Sequence, residues 1–179
     1  MSARTNTGAS DAVRRLTRWA EDFPEPGVSF ADLTPVFADP VAFRAVVHEL
    51  STAAPDADTI ASVDARGFLL GGGVGLTLGA GVLAVRKSGK LPPPVLSESY
   101  QLEYGASTLE IPADAIDLSG RRVLVVDDVL ATGGTLEATA RLVESAGAQV
   151  VAVCVVLEIA ALGGRRRLEK YPLSSVLTV

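Results

Sequence analysis

Apolar, strand-like runs alternate with helical patterns along most of this chain, and this alternation restricts the folds that are open to it. The strand-like runs lie at residues 59–63, 82–86, 123–126 and 150–157, and the helical patterns lie at 68–78 and 135–146. Strands that are apolar on both faces, separated by amphipathic helices, are typical of a parallel sheet covered on both sides. We therefore predict an α/β fold whose central, mostly parallel twisted sheet is flanked by helices.

The N-terminal part of the chain predicts two more helices. Residues 1–10 are polar and we expect them to be flexible, whereas apolar side chains recur at helical spacing over residues 11–22. Asp39 followed by Pro40 resembles an N-cap with proline at the first helical position. A second helix is therefore predicted to start there and to end before residues 55–58.

Length and composition predict one domain that spans residues 1–179. A chain of 179 residues, 48% of them hydrophobic, can bury one sizeable core but not two. The formal net charge of -5 gives no general positive field that would attract nucleic acid. The expected partner is a small molecule, and any phosphate must bind at a local site.

Cysteine usage and hydropathy predict a cytoplasmic protein that does not cross a membrane. Cys154 is the single cysteine, so no internal disulfide forms, and the polar start of the chain lacks the apolar core of a signal peptide. Residues 67–85 carry no charge over 19 positions, which is long enough to suggest a membrane span. Their seven glycines favour a buried helix followed by a buried strand instead.

The segment that says most about function is residues 122–137, RVLVVDDVLATGGTLE. An apolar strand ends in Asp127 and Asp128, and a loop of small residues then opens a helix. The loop consists of Ala131, Thr132, Gly133, Gly134 and Thr135. Its glycines let the backbone approach a phosphate closely, while N–H groups at the helix start and threonine hydroxyls donate to the phosphate oxygens. The loop lacks the lysine of a nucleoside-triphosphate site and the spacing of a dinucleotide-binding motif.

The two carboxylates indicate that the ligand is more than a phosphate. Asp127 and Asp128 would repel an anion unless they bind another part of it, such as ribose hydroxyls or a bound Mg²⁺. A ligand with both a sugar and a phosphate fits the whole segment. The alternative is that the acids merely end a strand and the glycines form an ordinary turn, but the complete pattern favours a functional site.

This segment resembles the motif with which type I phosphoribosyltransferases bind phosphoribosyl pyrophosphate (PRPP). Four further segments, residues 23–35, 64–68, 85–92 and 99–105, are similar to adenine phosphoribosyltransferases in particular. The resemblance implies the type I phosphoribosyltransferase fold, with an N-terminal hood over the base and a flexible hairpin lid. It also implies conversion of adenine and PRPP to AMP and pyrophosphate in purine salvage, by a homodimer.

Residues 23–35, FPEPGVSFADLTP, correspond in that family to the hood. The resemblance implies that the backbones of Ser29 and Ala31 contact the edge of adenine and that Phe30 lies beside it. Many relatives carry an apolar and a basic residue where this chain has Ser29 and Ala31, which leaves base recognition largely unchanged if backbone atoms carry it. Ile159, which follows an apolar strand, is expected to pack against the base. Without the resemblance, residues 23–35 would equally suit a proline-rich surface loop.

A second set of residues is expected to bind pyrophosphate. Ala65 and Arg66 lie between a strand and a helix, where free N–H groups and a guanidinium can hold an anionic leaving group. Arg86, Lys87 and Lys90 form a compact basic cluster, although such clusters are commonly just solvated surface. The resemblance implies that both regions approach the pyrophosphate, the second partly across a dimer interface.

Residues 88–112 form a long excursion that we expect to include a hairpin and to act as a lid. The resemblance implies that Glu103 and Tyr104 lie in the lid, where Glu103 is the expected catalytic carboxyl that manages the proton lost from adenine. Without the resemblance, Glu103 is better explained as an exposed glutamate on a strand. Arg66 is the other expected catalytic residue, because it stabilises the departing pyrophosphate. The expected cofactor is Mg²⁺, held mainly by PRPP and water near Asp127 and Asp128.

Two other functions are open from the sequence. One is a phosphoribosyltransferase for xanthine, guanine or hypoxanthine, in which a lysine after a late strand often reads the 6-oxo group; residues 155–164 read VVLEIAALGG here. The other is a PRPP-sensing regulator that binds nucleic acid, but such proteins normally add a DNA-binding module or a basic face.

Several conspicuous residues are better explained by structure than by chemistry. His48 has no Cys or His at ligand spacing, and Cys154 lies inside an apolar strand. Trp19 and Phe43 occur at helical positions and are expected to pack. The glycines at 71–73 and 75 are costly in a helix and predict close packing against the sheet.

Overall fold

The computed structural model describes residues 8–102 and 105–179 of the chain. Its helices and strands follow in the order α1 Ala9–Leu16, β1 Arg18–Ala20, β2 Phe30–Asp32, α2 Thr34–Ala38, α3 Pro40–Ser51, β3 Thr59–Val63, α4 Gly67–Leu78, β4 Gly81–Lys87, β5 Val95–Leu102, β6 Gly105–Pro112, β7 Arg122–Leu130, α5 Gly134–Ser145, β8 Gln149–Glu158 and β9 Leu173–Thr178. Two short 3-10 helices, Ala160–Leu162 and Gly164–Leu168, connect β8 to β9.

The main sheet confirms the predicted α/β class. Its strand order is β5-β6-β4-β3-β7-β8-β9, and β4, β3, β7, β8 and β9 are all parallel to their neighbours in that series. The hairpin of β5 and β6 continues the sheet as antiparallel strands, joined to β4 by the pairing of Arg86 with Glu110 and of Lys87 with Leu109. Strands β1 and β2 form a separate two-stranded sheet.

Alternate side chains of the central strands pack into two different cores. In β7, Val123 and Val125 belong to the cluster that contains Leu142 of α5, whereas Leu124 and Val126 pack with the helices on the other face. Because each strand is covered on both sides, its residues are apolar without alternation. Residues 67–85 form α4 and most of β4, but the expectation that both are buried is only partly correct, because Leu76 and Val82 are 89% and 46% exposed. No helix among the described residues is long and apolar enough to span a bilayer.

The prediction of a first helix over residues 11–22 is wrong in its second half. Helix α1 ends at Leu16, where both the N–H and the hydroxyl of Thr17 donate to the Val13 carbonyl, at 2.9 and 2.7 Å. The chain then extends so that Trp19 pairs with Ala31 of β2. Trp19 was predicted to pack, but it is 46% exposed. Pairing with a distant strand overrides the local helical spacing here.

Other elements agree more closely with the sequence. Asp39 caps α3 as predicted, since its carboxylate accepts hydrogen bonds from Val41 N and Ala42 N at 2.9 Å each. Phe43 packs edge-on against Phe37, with ring centroids 6.1 Å apart. Two of the helical glycines pack against the sheet as predicted: a Cβ on Gly71 would overlap the Ser62 side chain of β3, and one on Gly75 would lie 2.6 Å from Val82 Cγ2 of β4. Helix α4 can therefore approach the sheet more closely than a helix with side chains could. The prediction is wrong for the other two, because Gly73 packs against Val47 of α3 and a Cβ on Gly72 meets nothing within 4 Å.

Candidate active site

Three parallel strands end beside one another at one edge of the sheet. β3 is followed by Asp64–Arg66 and α4, β7 by the loop at residues 131–133 and α5, and β8 by Ile159. Ligands of open α/β sheets bind beyond the carboxyl ends of the strands. The fold therefore brings together the segments that the sequence predicted for phosphate, pyrophosphate and base.

The phosphate loop, residues 131–135, has the backbone of an anion cradle. Gly133 has φ +85°, in the left-handed region that favours glycine, and α5 starts at the next residue. No side chain of the described residues caps this helix start, so its first N–H groups remain directed at the site. The Thr135 hydroxyl donates to the Tyr100 hydroxyl at 3.2 Å. The loop is thus open on one side and held by the hairpin strand β5 on another.

The two acidic residues lie within β7 rather than after it. The pairing of β7 with β8 continues as far as Leu130 opposite Glu158, so the predicted strand end at Val126 is too early. Backbone pairing with β8 holds these positions extended despite their polar side chains. Asp127 is 9% exposed and Asp128 is 6% exposed. Asp128 therefore forms part of the floor of the site, and Asp127 is buried beneath it.

Burial and neighbouring charges shift the pKa values of both carboxylates. Burial raises the pKa of Asp127 well above its usual range, and the charge of Asp128 raises it further. Burial also raises the pKa of Asp128, but the Arg66 guanidinium opposes that rise. Asp127 Oδ1 accepts the Asp128 N–H at 2.8 Å. Perturbed carboxylates of this kind are characteristic of functional sites.

Arg66 connects the sheet edge to the N-terminal hood. Its Nε lies 2.6 Å from Asp128 Oδ2, close enough for an ion pair, although the N–H does not point at that oxygen. Its Nη1 donates to the Ala31 carbonyl at 3.2 Å, and its guanidinium lies 5.0 Å from the centre of the Phe30 ring. Asp128 Oδ2 is buried against the Arg66 guanidinium and accepts no hydrogen bond of good geometry from the described part of the chain.

A cleft of about 430 Å³ lies between the hood and the sheet edge. On the hood side it is lined by Ser29, Phe30 and Ala31, together with Ile159 and Leu162 from the chain after β8. These include all four residues predicted to bind the base. The cleft is mostly apolar on this side, which suits a planar ring.

The opposite wall of the cleft consists of residues predicted for the sugar, phosphate and leaving group. Arg66, Asp128, Ala131 and Thr132 line it. Their polar groups face the apolar hood across the cleft. One ligand could therefore contact both walls.

The remaining predicted residues do not line this cleft. Gly133 and Gly134 are buried at the start of α5, while Asp127 lies beneath the floor and Thr135 faces the hairpin. Ala65 is exposed next to Arg66.

The basic cluster is arranged by two carboxylates that the sequence analysis did not single out. Arg86 Nε donates to Asp64 Oδ2 at 2.9 Å, so this arginine is already paired. Glu110 accepts hydrogen bonds from the Ser88 hydroxyl at 2.5 Å and from Gly89 N at 3.0 Å. These bonds fix the turn between Lys87 and Lys90, whose side chains are exposed. Pairing of β4 with β6 brings Glu110 to this turn, and no local sequence pattern indicates that pairing.

The predicted catalytic residue Glu103 and the lid residue Tyr104 lie outside the described residues. The strands on either side of them, β5 and β6, form the predicted hairpin. Arg141 of α5 donates to Glu98 of β5 at 2.7 Å. The base of the hairpin is therefore attached to the helix that follows the phosphate loop.

Within residues 8–102 and 105–179 no group of three or more His, Cys, Asp or Glu side chains is arranged to hold a metal ion. Of the carboxylates in these described residues, those of Asp128 and Glu25 line the cleft, and that of Asp127 lies beneath it. His48 and Cys154 are not at the cleft: His48 is exposed on α3 and Cys154 is buried in β8.

Comparison with known proteins gives one consistent result. A family model described as "Phosphoribosyl transferase domain" matches residues 42–177. The chain is 74% identical over 174 residues to an adenine phosphoribosyltransferase of Rhodococcus jostii (strain RHA1), covering 97% of this chain and 98% of the relative. It is 64% identical to an adenine phosphoribosyltransferase of Nocardia farcinica, covering 98% of this chain and 92% of that protein.

Solved structures agree with the sequence comparisons. Adenine phosphoribosyltransferase from Rhodothermus marinus superimposes with a TM-score of 0.90 at 45% identity, covering 96% of this chain and 98% of that one. The enzyme from Saccharomyces cerevisiae, complexed with an imino-altritol bisphosphate and adenine, superimposes with a TM-score of 0.87 at 34% identity, covering 94% and 98%.

Proposed function

This chain belongs to the adenine phosphoribosyltransferase family, and we propose that its cleft transfers the phosphoribosyl group of PRPP to adenine. The observation that carries the proposal is the cleft itself, in which an apolar hood faces a phosphate loop and a buried carboxylate across one ligand-sized space. A base and a sugar-phosphate are the two chemically different parts that such a space accommodates.

The phosphate loop would bind the 5-phosphate of PRPP. Its glycines give the ligand access to the backbone, and the N-terminus of α5 supplies N–H donors and the positive end of the helix dipole. Thr132 lines the cleft, so its hydroxyl is placed to donate as well. We assign residues 131–135 to this role, as the sequence predicts.

Asp127 and Asp128 would bind the ribose hydroxyls and, through them, fix the sugar ring. Asp128 lines the cleft, and its Oδ2 is buried against Arg66; when Arg66 turns to the pyrophosphate, a ribose hydroxyl would take its place as the partner of this oxygen. Asp127 supports its neighbour by accepting the Asp128 N–H. This pair also fits Mg²⁺, which usually takes one or two carboxylates and obtains its other oxygens from phosphates and water. When bound, Mg²⁺ neutralises pyrophosphate charge; Asp127 and Asp128 are the residues that would approach it.

Arg66, Ala65 and the turn at Arg86, Lys87 and Lys90 would contact the pyrophosphate. Arg66 shares its guanidinium between Asp128 and the Ala31 carbonyl, and a departing anion provides a better partner for this charge. The lysines are exposed, and closure of the hairpin or a second subunit would bring them to the leaving group.

The hood would hold adenine between Phe30 and Ile159. Backbone groups of Ser29 and Ala31 are placed to contact the base edge, whatever their side chains are. The Ala31 carbonyl accepts a hydrogen bond from Arg66, so base binding at the hood and leaving-group binding both involve this arginine. Binding of both substrates therefore rearranges one shared contact.

The reaction is a displacement at the anomeric carbon of the ribose. A bond forms between a ring nitrogen of adenine and that carbon, the bond from the carbon to pyrophosphate oxygen breaks, and the ring nitrogen loses its proton. Glu103 is our candidate to accept this proton. No covalent intermediate with the protein is needed, so positioning and charge stabilisation supply the rate enhancement.

A homodimer in the cytoplasm remains our proposal for the working form. Leu69 and Leu76 lie two turns apart on α4 and are 56% and 89% exposed, and Val82 nearby is 46% exposed. Apolar side chains in this density are normally covered by another protein surface. A second copy of the chain is the occupant that the family resemblance implies.

The decisive experiment is to incubate the purified chain with PRPP, Mg²⁺ and one base at a time. We expect AMP and pyrophosphate from adenine in equal amounts, and little turnover of hypoxanthine, guanine or xanthine. Addition of a chelator in excess over Mg²⁺ should abolish the reaction. Preference for a 6-oxopurine would overturn the assignment of the base, and PRPP binding without product would overturn the assignment as an enzyme.

A further inference from the structure

The phosphate loop is supported from behind by the chain that follows β8. This segment, residues 158–168, runs from Glu158 through the two 3-10 helices. Ile159 N donates to the Leu130 carbonyl at 2.9 Å, so the segment leaves β8 in contact with the end of β7. We call residues 158–168 the supporting segment.

Gly164 of the supporting segment touches the phosphate loop through backbone atoms. A Cβ built on Gly164 would overlap the Ala131 carbonyl oxygen and would lie 2.9 Å from Gly133 N and 2.8 Å from Leu130 Cδ1. A Cβ built on Gly133 would lie 2.7 Å from the Gly164 carbonyl oxygen. Neither side has room for a side chain, so the two backbones determine each other's position.

The supporting segment is itself held firmly on both sides of Gly164. Arg165 Nε and Nη2 donate to the two carboxylate oxygens of Glu158, at 2.8 and 2.5 Å. The Ser175 hydroxyl of β9 donates to the same carboxylate at 3.0 Å. Hydrogen bonds from Arg165 hold the pKa of Glu158 below its usual range, and Leu168 is fully buried in the core. Gly164 is therefore fixed by groups that do not belong to the phosphate loop.

We infer that Gly164 is a positioning residue for PRPP, acting through the backbone of Ala131 and Gly133. The inference rests on the proposed function, because the phosphate loop is assigned to PRPP there. The N–H groups of a phosphate cradle are useful only when they are directed at the oxygens beforehand, and a displacement of about 1 Å can weaken catalysis about a hundredfold. Gly164 does not touch the ligand, but the loop cannot take its observed position beside any larger residue.

The test is to measure PRPP and adenine use separately in Gly164→Ala. The φ of Gly164 is not in the left-handed region, so alanine is costly only through its contact with the loop. We expect the KM for PRPP to rise about tenfold, with the KM for adenine within about twofold of wild type. Gly72→Ala is the matched control, because a Cβ on Gly72 meets nothing within 4 Å, and it should change neither constant.

A second pair of variants keeps the test decisive if Gly164→Ala does not fold. Arg165→Gln loosens the supporting segment without adding a clash, and we expect the KM for PRPP to rise about threefold. Arg165→Lys retains a charged donor and should recover part of this loss. A general loss of folded protein would lower kcat alone, leaving both KM values unchanged.

Calorimetric titration with PRPP alone separates this inference from the proposed function. If the wild-type chain does not bind PRPP, the proposed function fails. If the wild-type chain binds PRPP and Gly164→Ala or, where that variant is unfolded, Arg165→Gln binds it equally tightly, only the role of Gly164 is refuted.

Discussion

The two walls of the cleft are built in different ways. The wall of β7 and the phosphate loop belongs to the main sheet, and its acids are buried between two cores and backed by the supporting segment. The hood wall is a separate two-stranded sheet in which β1 is entirely exposed. In the part of the chain that the structure describes, Arg66 hydrogen-bonds the hood to the sheet edge, and Ala31 of β2 is buried in the adjoining core.

This difference matches the chemistry expected of the two substrate halves. A phosphate and a ribose are recognised by directional N–H and carboxylate groups, which help only if the fold fixes them in advance. A planar base is recognised largely by stacking, which tolerates small shifts and allows the hood to open for exchange. The molecule thus places its polar recognition groups within the main sheet.

The largest expected effect is that of Asp128→Asn on the wall of β7 and the phosphate loop. The substitution replaces a charged carboxylate, which has two acceptor oxygens, by a neutral amide with one. Hydrogen bonds to charged groups contribute roughly 1.5–3 kcal/mol, so kcat/KM for PRPP should fall about ten- to a hundredfold. The adenine KM should change little if the two walls act independently. Steady-state kinetics with each substrate varied in turn measures both.

The control for this prediction is Asp117→Asn, which replaces an exposed carboxylate that caps a turn at Ser119 far from the cleft. It should leave both KM values unchanged. A rise in the adenine KM of Asp128→Asn as large as that in its PRPP KM would break the comparison, because it would mean that the contact shared through Arg66 makes the two walls respond as one unit and is not a minor link between them.

An intermediate effect is expected from Phe30→Ala on the hood wall. Stacking of a base on an aromatic ring contributes about 1–3 kcal/mol, so the adenine KM should rise about tenfold while the PRPP KM stays near the wild-type value. Phe30→Leu keeps the apolar bulk but lacks the aromatic face, so its adenine KM should lie between those of the wild type and Phe30→Ala. A matching rise in the PRPP KM would show that the hood also shapes the polar wall, contrary to the comparison.

The two walls were not equally predictable from the sequence. In the phosphate loop, the glycines, the threonines and the helix start each have a stated physical role, so a phosphate loop in an α/β fold could be predicted from the local sequence. The proposed base-binding residues Ser29, Phe30, Ala31 and Ile159 were predicted only through the family resemblance; proline spacing alone suited a plain surface loop equally well.

What the sequence could not predict depends on contacts between distant segments. Strand β1 replaces the end of a well-patterned helix because it pairs with β2. Strand β7 continues through Asp127 and Asp128 because it pairs with β8. Glu110 and Gly164 act on loops 20 or more residues away, and neither has a local signal in the chain. Such residues can be recognised only when the packing is known.

The smallest expected effect concerns the anchoring of the hood by Asp32 at the end of β2. Its Oδ1 accepts the Thr34 N–H at 2.9 Å, and hydrogen bonds from Thr34 hold the pKa of Asp32 below its usual range. Because the pKa is lower in the folded state, this bond stabilises the fold above the usual Asp range, and the stabilisation is lost as pH falls through the lowered pKa. Asp32→Ala should therefore lower Tm at neutral pH and approach wild type in acid.

The same variant tests whether the hood wall needs this turn for recognition of the base. We expect Asp32→Ala to raise the adenine KM about two- to threefold, because the hood loses one of its fixed ends, with the PRPP KM unchanged. Asp117→Ala removes a comparable turn bond at Ser119 and should lower Tm in the same pH range without changing the adenine KM. If both variants raise the adenine KM equally, the effect comes from overall stability and the hood is not a separately anchored wall.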